Sequence, residues 1–171
     1  MFEEGIQLKK ELNLTGDEIE KVELKVAPLV LELTGKKTPQ TGLEGKFSVY
    51  HSLAVAIIHG AAGENEYSDA CVRDPKVIAL RDKVEAVIDS TMRDDEARVT
   101  VTCKDGRVLE KHVPHAIGSL ERPMSNDDIE AKFNGLVREI LDEEKTSNLL
   151  ALAWSVANLE DASEICRASV P

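Results

Sequence analysis

The longest uncharged amphipathic pattern of the chain predicts a central helix between residues 47 and 60. Its apolar positions recur every three or four residues, the spacing of one helix face, and Gly60 fits the left-handed cap at its end. The opposite stripe carries no full charge, so we expect a second element or domain to cover it. The predicted core face holds Phe47, Tyr50, Leu53, Ala54, Ile57 and Ile58. The opposite stripe holds Ser48, His51, Ser52, Val55 and His59.

Alternation of apolar and polar residues predicts four strands, of which the last two form a hairpin. A loop of residues 104–106, with Gly106 in the left-handed bulge position, sets Val101 opposite Leu109 and keeps the apolar faces together. A two-residue loop would instead set Val101 opposite Glu110. The predicted strands are 21–26, 84–89, 97–103 and 107–113.

Helical patterns flank the strands at both ends of the chain. We expect the helix over 127–141, capped near Ser125, to bury an apolar stripe of Ile129, Phe133, Leu136, Val137 and Ile140. The predicted helices are 2–12, 47–60, 75–82 after the cap Asp74, 127–141, and a last one from Thr146 or Ser147 to about 159. Short helical turns are expected in 64–73 and a long loop over 36–45. These elements predict an α+β fold, a two-layer sandwich with a mainly antiparallel sheet of about four strands packed against about five helices.

Size and composition narrow the class of protein. At 171 residues the chain fits a single domain over residues 1–171. With 32 acidic and 21 basic residues the net charge is -11, which argues against nucleic acid and anionic membranes as partners. Three widely spaced cysteines without CxxC spacing predict reduced, buried thiols in the cytoplasm. No apolar run reaches the length of a membrane span.

Known catalytic and metal-binding patterns are weak in this sequence. His112 and His115 form an HxxH, but Pro114 lies between them and no third ligand is placed, so we expect a solvent-exposed pair at a strand end. The pair Gly118-Ser119 lacks the context of a nucleophile elbow, and no phosphate loop or dinucleotide fingerprint is found. The acidic runs 94–96 and 142–144 are interpreted as solvated faces. We therefore predict no catalytic residue, no metal and no cofactor for this chain.

Four segments, in order and in register, resemble the second, smaller domain of the MmgE/PrpD family. They are TGLEGKFSVYHS at 41–52, YSDACVRDPKVIALRDKV at 67–84, VTVTCKDGRVLEKHVPHAIGS at 99–119 and RPMSNDDIEAKF at 122–133. The resemblance extends from about residue 2 to 160. The family includes 2-methylcitrate dehydratase, cis-aconitate decarboxylase and iminodisuccinate epimerase, which share metal-independent proton transfer at the carbon next to a carboxylate. The resemblance implies a large all-helical first domain, which we expect to lie outside this chain, and homodimers or other homo-oligomers.

The resemblance also implies where the catalytic residues are. The family's catalytic histidines and lysines lie mainly in the helical domain and just before the first helix of the small domain, so none can be assigned here. Nothing before Phe2 can cap its helix, which predicts that the chain begins inside that helix. We expect a fragment or split-gene subunit of a lyase or isomerase acting on small di- or tricarboxylic acids such as 2-methylcitrate. It would form one wall of the active-site cleft and be inactive without the helical domain.

The alternative is a free-standing, non-catalytic binding or regulatory module that retains the fold. The uncharged stripe of the central helix favours the enzyme part, since a module living alone would solvate it. We accordingly expect the stripe at Ser48, Ser52 and Val55, and the side of the first helix at Phe2 and Ile6, to be exposed without the partner.

The start of the central helix is the substrate-binding site that we predict. Free N–H groups at a helix N-terminus and the charge of Lys46 suit a substrate carboxylate, and Gly42 and Gly45 permit close approach. In the alternative interpretation Lys46 pairs with Glu44 or lies in water, and the glycines only shape a turn. The predicted substrate-binding residues are Gly45, Lys46, Ser48 and His51.

Overall fold

The computed structural model describes residues 2–12 and 15–171 and contains two compact units. The first unit ends at Arg122 and the second comprises Pro123–Pro171. The strands are β1 (Ile19–Val26), β2 (Val84–Ile88), β3 (Ala97–Cys103) and β4 (Val108–Val113). The helices of the first unit are α1 (Phe2–Leu12), α2 (Pro28–Thr34), α3 (Gly42–Gly45), α4 (Val49–His59), α5 (Asp69–Val72) and α6 (Pro75–Arg81). Those of the second unit are α7 (Asn126–Val137), α8 (Glu143–Trp154) and α9 (Ser163–Ala168).

The sheet has the order β2-β1-β3-β4 and is mixed. The strands β3 and β4 pair antiparallel to each other, as do β1 and β3, whereas β1 and β2 run parallel. The α+β class and the four strands are confirmed, but the sheet is mixed and not mainly antiparallel. The reason is the connection between β1 and β2, which passes through helices and can return the chain in the same direction.

The hairpin register agrees with the bulged loop predicted from the sequence. Val101 lies opposite Leu109, and Gly106 has a φ of 87°, the left-handed region that favours glycine. The register places the alternate apolar residues of β1 and β3 on one face, where they are buried. Together with residues of α1, α4, α6 and β2 they form the core: Leu8, Ile19, Val22, Leu24, Val26, Val49, Leu53, Ala54, Val55, Ile57, Val77, Leu80, Val84, Ala97, Val99, Val101 and Cys103.

The central helix α4 starts two residues later than predicted. Ser48 is its N-cap and accepts a hydrogen bond from the His51 N–H, while Phe47 precedes the helix and is 53% exposed. Gly60 ends the helix with a φ of 69°, as expected for a left-handed cap. Phe47 therefore does not belong to the core face.

Four of the five residues of the uncharged stripe of α4 are buried within the chain itself, and the fifth, His59, is exposed. Ser48, His51 and Val55 are fully buried and Ser52 is 5% exposed. The expectation that another element covers the stripe is confirmed, and the expectation that it is exposed without a partner is wrong. The covering segment includes residues 66–67, which hydrogen-bond to His51 and Ser52. Of the other residues expected to be exposed, Ile6 is half-buried, and the side chain of Phe2 lies outside what the structure describes.

The second unit differs from the sequence interpretation at its helix ends and in its burial. Ser125 caps α7 in a capping box, as predicted. Asp142, not Thr146 or Ser147, caps α8, because its carboxylate reaches the Lys145 N–H and Glu143 and Glu144 occupy the favourable first turn.

The predicted buried stripe of α7 is wrong. The helix ends at Val137, Ile140 is 68% exposed, and Ile129 and Leu136 are each 43% exposed. In this unit the buried residues are Leu141, Thr146 and Leu149.

Two further expectations concern the thiols and membranes. All three cysteines are free, but only Cys103 is buried, while Cys71 is half-buried and Cys166 is exposed, so burial fails for Cys166. Among the described residues, no helix combines the length and the apolar character that crossing a membrane requires.

Candidate substrate-binding site

The loop before α4 is tied to the segment before α6 through backbone and carboxylate contacts. Thr41 caps α3 by accepting a hydrogen bond from the Glu44 N–H. The Gly42 N–H donates to the Asp69 carboxylate at 2.7 Å, and the Arg73 Nε donates to the Gln40 carbonyl at 3.0 Å. These contacts hold the predicted site against α5.

Both glycines of the loop are required by close packing. A Cβ at Gly42 would lie 1.8 Å from the Tyr67 carbonyl oxygen, which is backbone and cannot rotate away. A Cβ at Gly45 would lie 2.9 Å from Val72 Cγ2 and 3.1 Å from His51 Cδ2. The glycines therefore allow the loop to lie directly on the neighbouring chain, and Gly45 itself is buried.

His51 is a fully buried histidine with a backbone partner. Its Nε2 lies 2.8 Å from the Glu66 carbonyl oxygen, and since a carbonyl only accepts, Nε2 carries the proton. Nδ1 then has no hydrogen-bond partner within the described part of the chain. Burial lowers the pKa of His51 from its usual value, and the positive charge of Arg81 acts in the same direction. His51 therefore stays neutral at pH 7 and fastens residue 66 to α4.

Tyr67 fastens the same segment through its hydroxyl. The Tyr67 O–H donates to Ser52 Oγ at 2.8 Å, and its ring packs edge-on to the His51 ring at a centroid distance of 5.6 Å. Burial raises the pKa of Tyr67, so the phenol remains protonated and can donate at neutral pH.

Lys46 is the accessible member of the predicted set. Its Nζ lies 3.0 Å from both carboxylate oxygens of Glu64, and the lysine side chain is 43% exposed. Glu44 instead pairs with Lys36 at 2.7 Å, so the expected alternative partner of Lys46 is replaced by Glu64. An ion pair this exposed contributes little to stability and can exchange with another carboxylate.

The four predicted residues thus divide into one exposed cation and three buried residues. Gly45, Ser48 and His51 form the packed support of the loop, and Lys46 projects at its surface. The apolar neighbours Leu43 and Phe47 are 71% and 53% exposed. Chemically, this surface offers a primary ammonium group beside apolar side chains on a backbone fixed by glycine packing.

A comparison with protein families identifies the chain. The model of the MmgE/PrpD C-terminal domain matches residues 3–157. The chain belongs to the MmgE/PrpD family. It is 27% identical over 124 residues to the mitochondrial 2-methylcitrate dehydratase of Yarrowia lipolytica (strain CLIB 122 / E 150), an alignment that covers 66% of this chain and 24% of that protein. It is 22% identical over 156 residues to the cis-aconitate decarboxylase of Mus musculus, covering 89% of this chain and 32% of that protein.

The MmgE/PrpD match places this chain in the C-terminal part of its relatives. The chain spans about a quarter to a third of the length of these two proteins. It therefore corresponds to one part of a larger family fold, and the site around Lys46 lies within the matched range.

Sequence reasoning missed a buried arginine behind this MmgE/PrpD loop. Arg81 is 4% exposed, its Nη1 donates to the Val72 carbonyl at 3.2 Å, and its Nε has no partner in the described residues. Burial lowers the pKa of Arg81. In the sequence Arg81 occupies the last turn of an ordinary amphipathic helix, where nothing distinguishes it from a solvated residue.

A second polar cluster was also missed. Asp95 pairs with His115 at 2.9 Å and Glu96 pairs with His112 at 2.9 Å, and these pairs lower the pKa of both carboxyl groups. The acids of 95–96 are therefore partners of the HxxH histidines and not a freely solvated run. This pairing follows from the hairpin register, which sets the first residue of β3 opposite the last residue of β4.

Proposed function

We propose that this chain is the C-terminal part of an MmgE/PrpD-type lyase or isomerase that acts on small di- or tricarboxylic acids such as 2-methylcitrate. The chain would form one wall of the active-site cleft, and an all-helical domain would form the rest. The assembled enzyme would be a homo-oligomer. The observation that carries the proposal is Lys46, an exposed cation on a loop that glycine packing fixes against Tyr67 and Val72. Three free thiols fit the reducing cytoplasm as the compartment.

Lys46 is the residue of the chain that we expect to contact the substrate. Its present partner Glu64 is a carboxylate at 3.0 Å, which is the group that a substrate would offer. Because the pair is exposed, exchanging one carboxylate for another costs little. Substrate binding then replaces an internal ion pair by an intermolecular one.

Gly45, Ser48 and His51 act in this proposal as support. Ser48 Oγ already accepts the His51 N–H at 3.1 Å, so the free end of α4 is partly satisfied inside the protein. The proposed carboxylate contact therefore rests on the Lys46 side chain and not on the helix N-terminus. The two buried residues and Gly45 keep the Lys46 backbone in place.

The proton-transfer groups would come from the helical domain. In the described residues around Lys46, the buried His51 is neutral, its Nε2–H is bound to a carbonyl and its Nδ1 is buried, so neither ring nitrogen is accessible to a substrate. We therefore expect the isolated chain to fold but to show no dehydratase, decarboxylase or epimerase turnover.

Reconstitution tests the proposal directly. The chain is mixed or co-expressed with a helical MmgE/PrpD domain, and dehydration of 2-methylcitrate and decarboxylation of cis-aconitate are assayed. Lys46→Ala should weaken substrate binding by about 1–3 kcal/mol, on the order of 5- to 150-fold in KM. Lys104→Ala, at an exposed lysine of the hairpin loop, is the matched control and should leave KM unchanged.

A third variant separates the ion-pair exchange from a general charge effect. Glu64→Gln removes the internal competitor of the substrate carboxylate and should lower KM, whereas a structural Lys46–Glu64 pair predicts no change or an increase. Unaltered KM and kcat in Lys46→Ala would refute the site. Turnover by the isolated chain at the rate of a complete enzyme would refute the claim that the helical domain supplies the proton-transfer groups. A reconstituted pair without turnover on either substrate would favour the non-catalytic module.

A further inference from the structure

Three potential metal ligands from two segments of the first unit meet beside the sheet. Asp95 lies in the turn before β3, while His115 and Glu121 lie in the segment after β4. One ligand atom of each residue lies within 4.8 Å of the other two. His115 Nδ1 is 2.9 Å from Asp95 Oδ2 and 3.7 Å from Glu121 Oε2.

A single proton on His115 cannot satisfy both carboxylates. If Nδ1 carries hydrogen, it donates to Asp95 at 2.9 Å, and Glu121 at 3.7 Å lies beyond hydrogen-bond distance. Glu121 Oε2 therefore lies close to His115 Nδ1 without accepting a hydrogen bond from it. A cation placed between the three atoms would interact with all of them.

The charge balance of the cluster also favours a cation. Asp95, Glu96 and Glu121 bring three negative charges and Arg93 one positive charge, which leaves -2 when the imidazoles are neutral. The other nearby arginine, Arg122, pairs with Glu3 of α1. A divalent cation would neutralise this excess.

We propose that Asp95, His115 and Glu121 bind a divalent transition-metal ion, with Zn²⁺ as the best match. Zinc accepts imidazole nitrogen and carboxylate oxygen at about 2.0–2.2 Å, which sets tetrahedral ligand atoms roughly 3.3–3.6 Å apart. The two separations from His115 Nδ1, 2.9 Å and 3.7 Å, bracket that range, and all three ligand atoms lie within 4.8 Å of one another, so side-chain rotations can bring them onto one ion. The side chains are 28%, 30% and 56% exposed, which leaves the ion a path from solvent.

Arg93 is the group that must adjust. Its Nη2 lies 3.4 Å from His115 Nε2, and a metal on Nδ1 puts the ring proton on Nε2, where it would face this donor. Arg93 can release that contact because its Nη2 also donates to the Pro114 carbonyl at 2.5 Å and its other nitrogens face Asp95 and Glu96. His112, held by Glu96, stays outside the ligand set.

The expected consequence is a link between two segments of the chain. The ion would join the turn before β3 to the segment after β4, whose backbone already pairs through the Ala116 N–H and the Asp95 carbonyl. Because the ligands converge only in the folded chain, zinc should raise its unfolding temperature.

Zinc titration of the EDTA-treated, dialysed full chain tests the proposal. Calorimetry should show one Zn²⁺ per chain, with a rise in unfolding temperature, and Co²⁺ should give the visible absorption of a bound ion. Glu121→Gln should weaken binding at least about tenfold while the chain still folds, since no hydrogen bond from His115 is lost. His115→Gln should weaken it further, and His112→Gln, three residues earlier in the chain, should leave it unchanged.

The results that overturn the proposal are equally specific. Absence of saturable binding refutes it, and so does an unchanged affinity in Glu121→Gln. The half-buried thiol of Cys71 lies 3.9 Å from His59 Nε2 and offers another zinc ligand pair. Binding that survives Glu121→Gln but disappears in Cys71→Ser would assign the ion to that pair and refute the Asp95, His115 and Glu121 site.

Discussion

The close approach of Gly42 to the Tyr67 backbone makes Gly42→Ala the most informative test of how the candidate site is held. An alanine Cβ would begin 1.8 Å from the Tyr67 carbonyl oxygen, whereas real Cβ contacts are essentially never shorter than 3.0 Å. The obstacle is main chain, so no side-chain rotation relieves the clash. The two backbones must separate by more than an ångström.

The expected destabilisation follows from two losses and one small gain. Separation breaks the 2.7 Å hydrogen bond from the Gly42 N–H to the Asp69 carboxylate, and a bond to a charged group contributes about 1.5–3 kcal/mol. Overpacking of a tight contact adds about 1–3 kcal/mol. The lower entropy of alanine in the unfolded chain offsets about 0.4–1 kcal/mol. The net expectation is a loss of about 2–5 kcal/mol in the free energy of unfolding.

Denaturant unfolding can follow the two units separately. Both tyrosines, Tyr50 and Tyr67, lie in the first unit, and the single tryptophan, Trp154, lies in the second. Gly42→Ala should shift the tyrosine near-UV circular dichroism transition and leave the tryptophan fluorescence transition in place.

Gly135→Ala is the matched control for this measurement. An added Cβ at Gly135, inside α7, meets no atom within 4 Å. It should therefore stabilise the second unit by about 0.5–1 kcal/mol through helix propensity. If the free energy of unfolding of Gly42→Ala lay within about 0.5 kcal/mol of the parent's, the range of ordinary surface substitutions, the packing argument would be refuted.

Three further outcomes are expected. Burial holds the pKa of His51 below its ordinary value, so below about pH 6.5 the unfolded chain binds more protons than the folded chain. The free energy of unfolding should therefore fall on acidification, with a slope of at most about 1.4 kcal/mol per pH unit from this group. His51→Phe should flatten that part of the pH profile in denaturant titrations at pH 7.5 and 5.5, and an unchanged profile would contradict a neutral buried histidine. Tyr67→Phe should lose about 1 kcal/mol in the first unit by deleting the hydrogen bond to Ser52, with Tyr50→Phe, whose hydroxyl has no such bond to Ser52, as the comparison. Ser125→Ala should lower the midpoint of the Trp154 fluorescence transition by removing the capping box of α7, at a cost of about 1 kcal/mol, and equal midpoints would mean that the cap is dispensable.

Local physical chemistry made much of the fold readable from the sequence. The alternation in β1 and β3, the turn chemistry at Gly106 and the caps at Asp74 and Ser125 are short-range signals, and the structure agrees with all of them. Such signals depend on neighbouring residues alone, so one sequence suffices to detect them. The direction of β2 against β1 depends on how a 57-residue connection travels over the sheet, and the pattern of β2 by itself carries no information on it.

The sequence by itself carried the resemblance to the family, through four motifs in register, and it drew attention to the loop of Lys46, where two glycines and a charged residue precede an apolar helix. Tertiary structure decided what those residues contact. It buried His51 under Glu66, gave Lys46 the partner Glu64 instead of Glu44, and brought Asp95 beside His115 across 20 positions of sequence. Partner choice for a charged side chain depends on distance in space and on the dielectric environment, and both quantities exist only once strands and helices have packed.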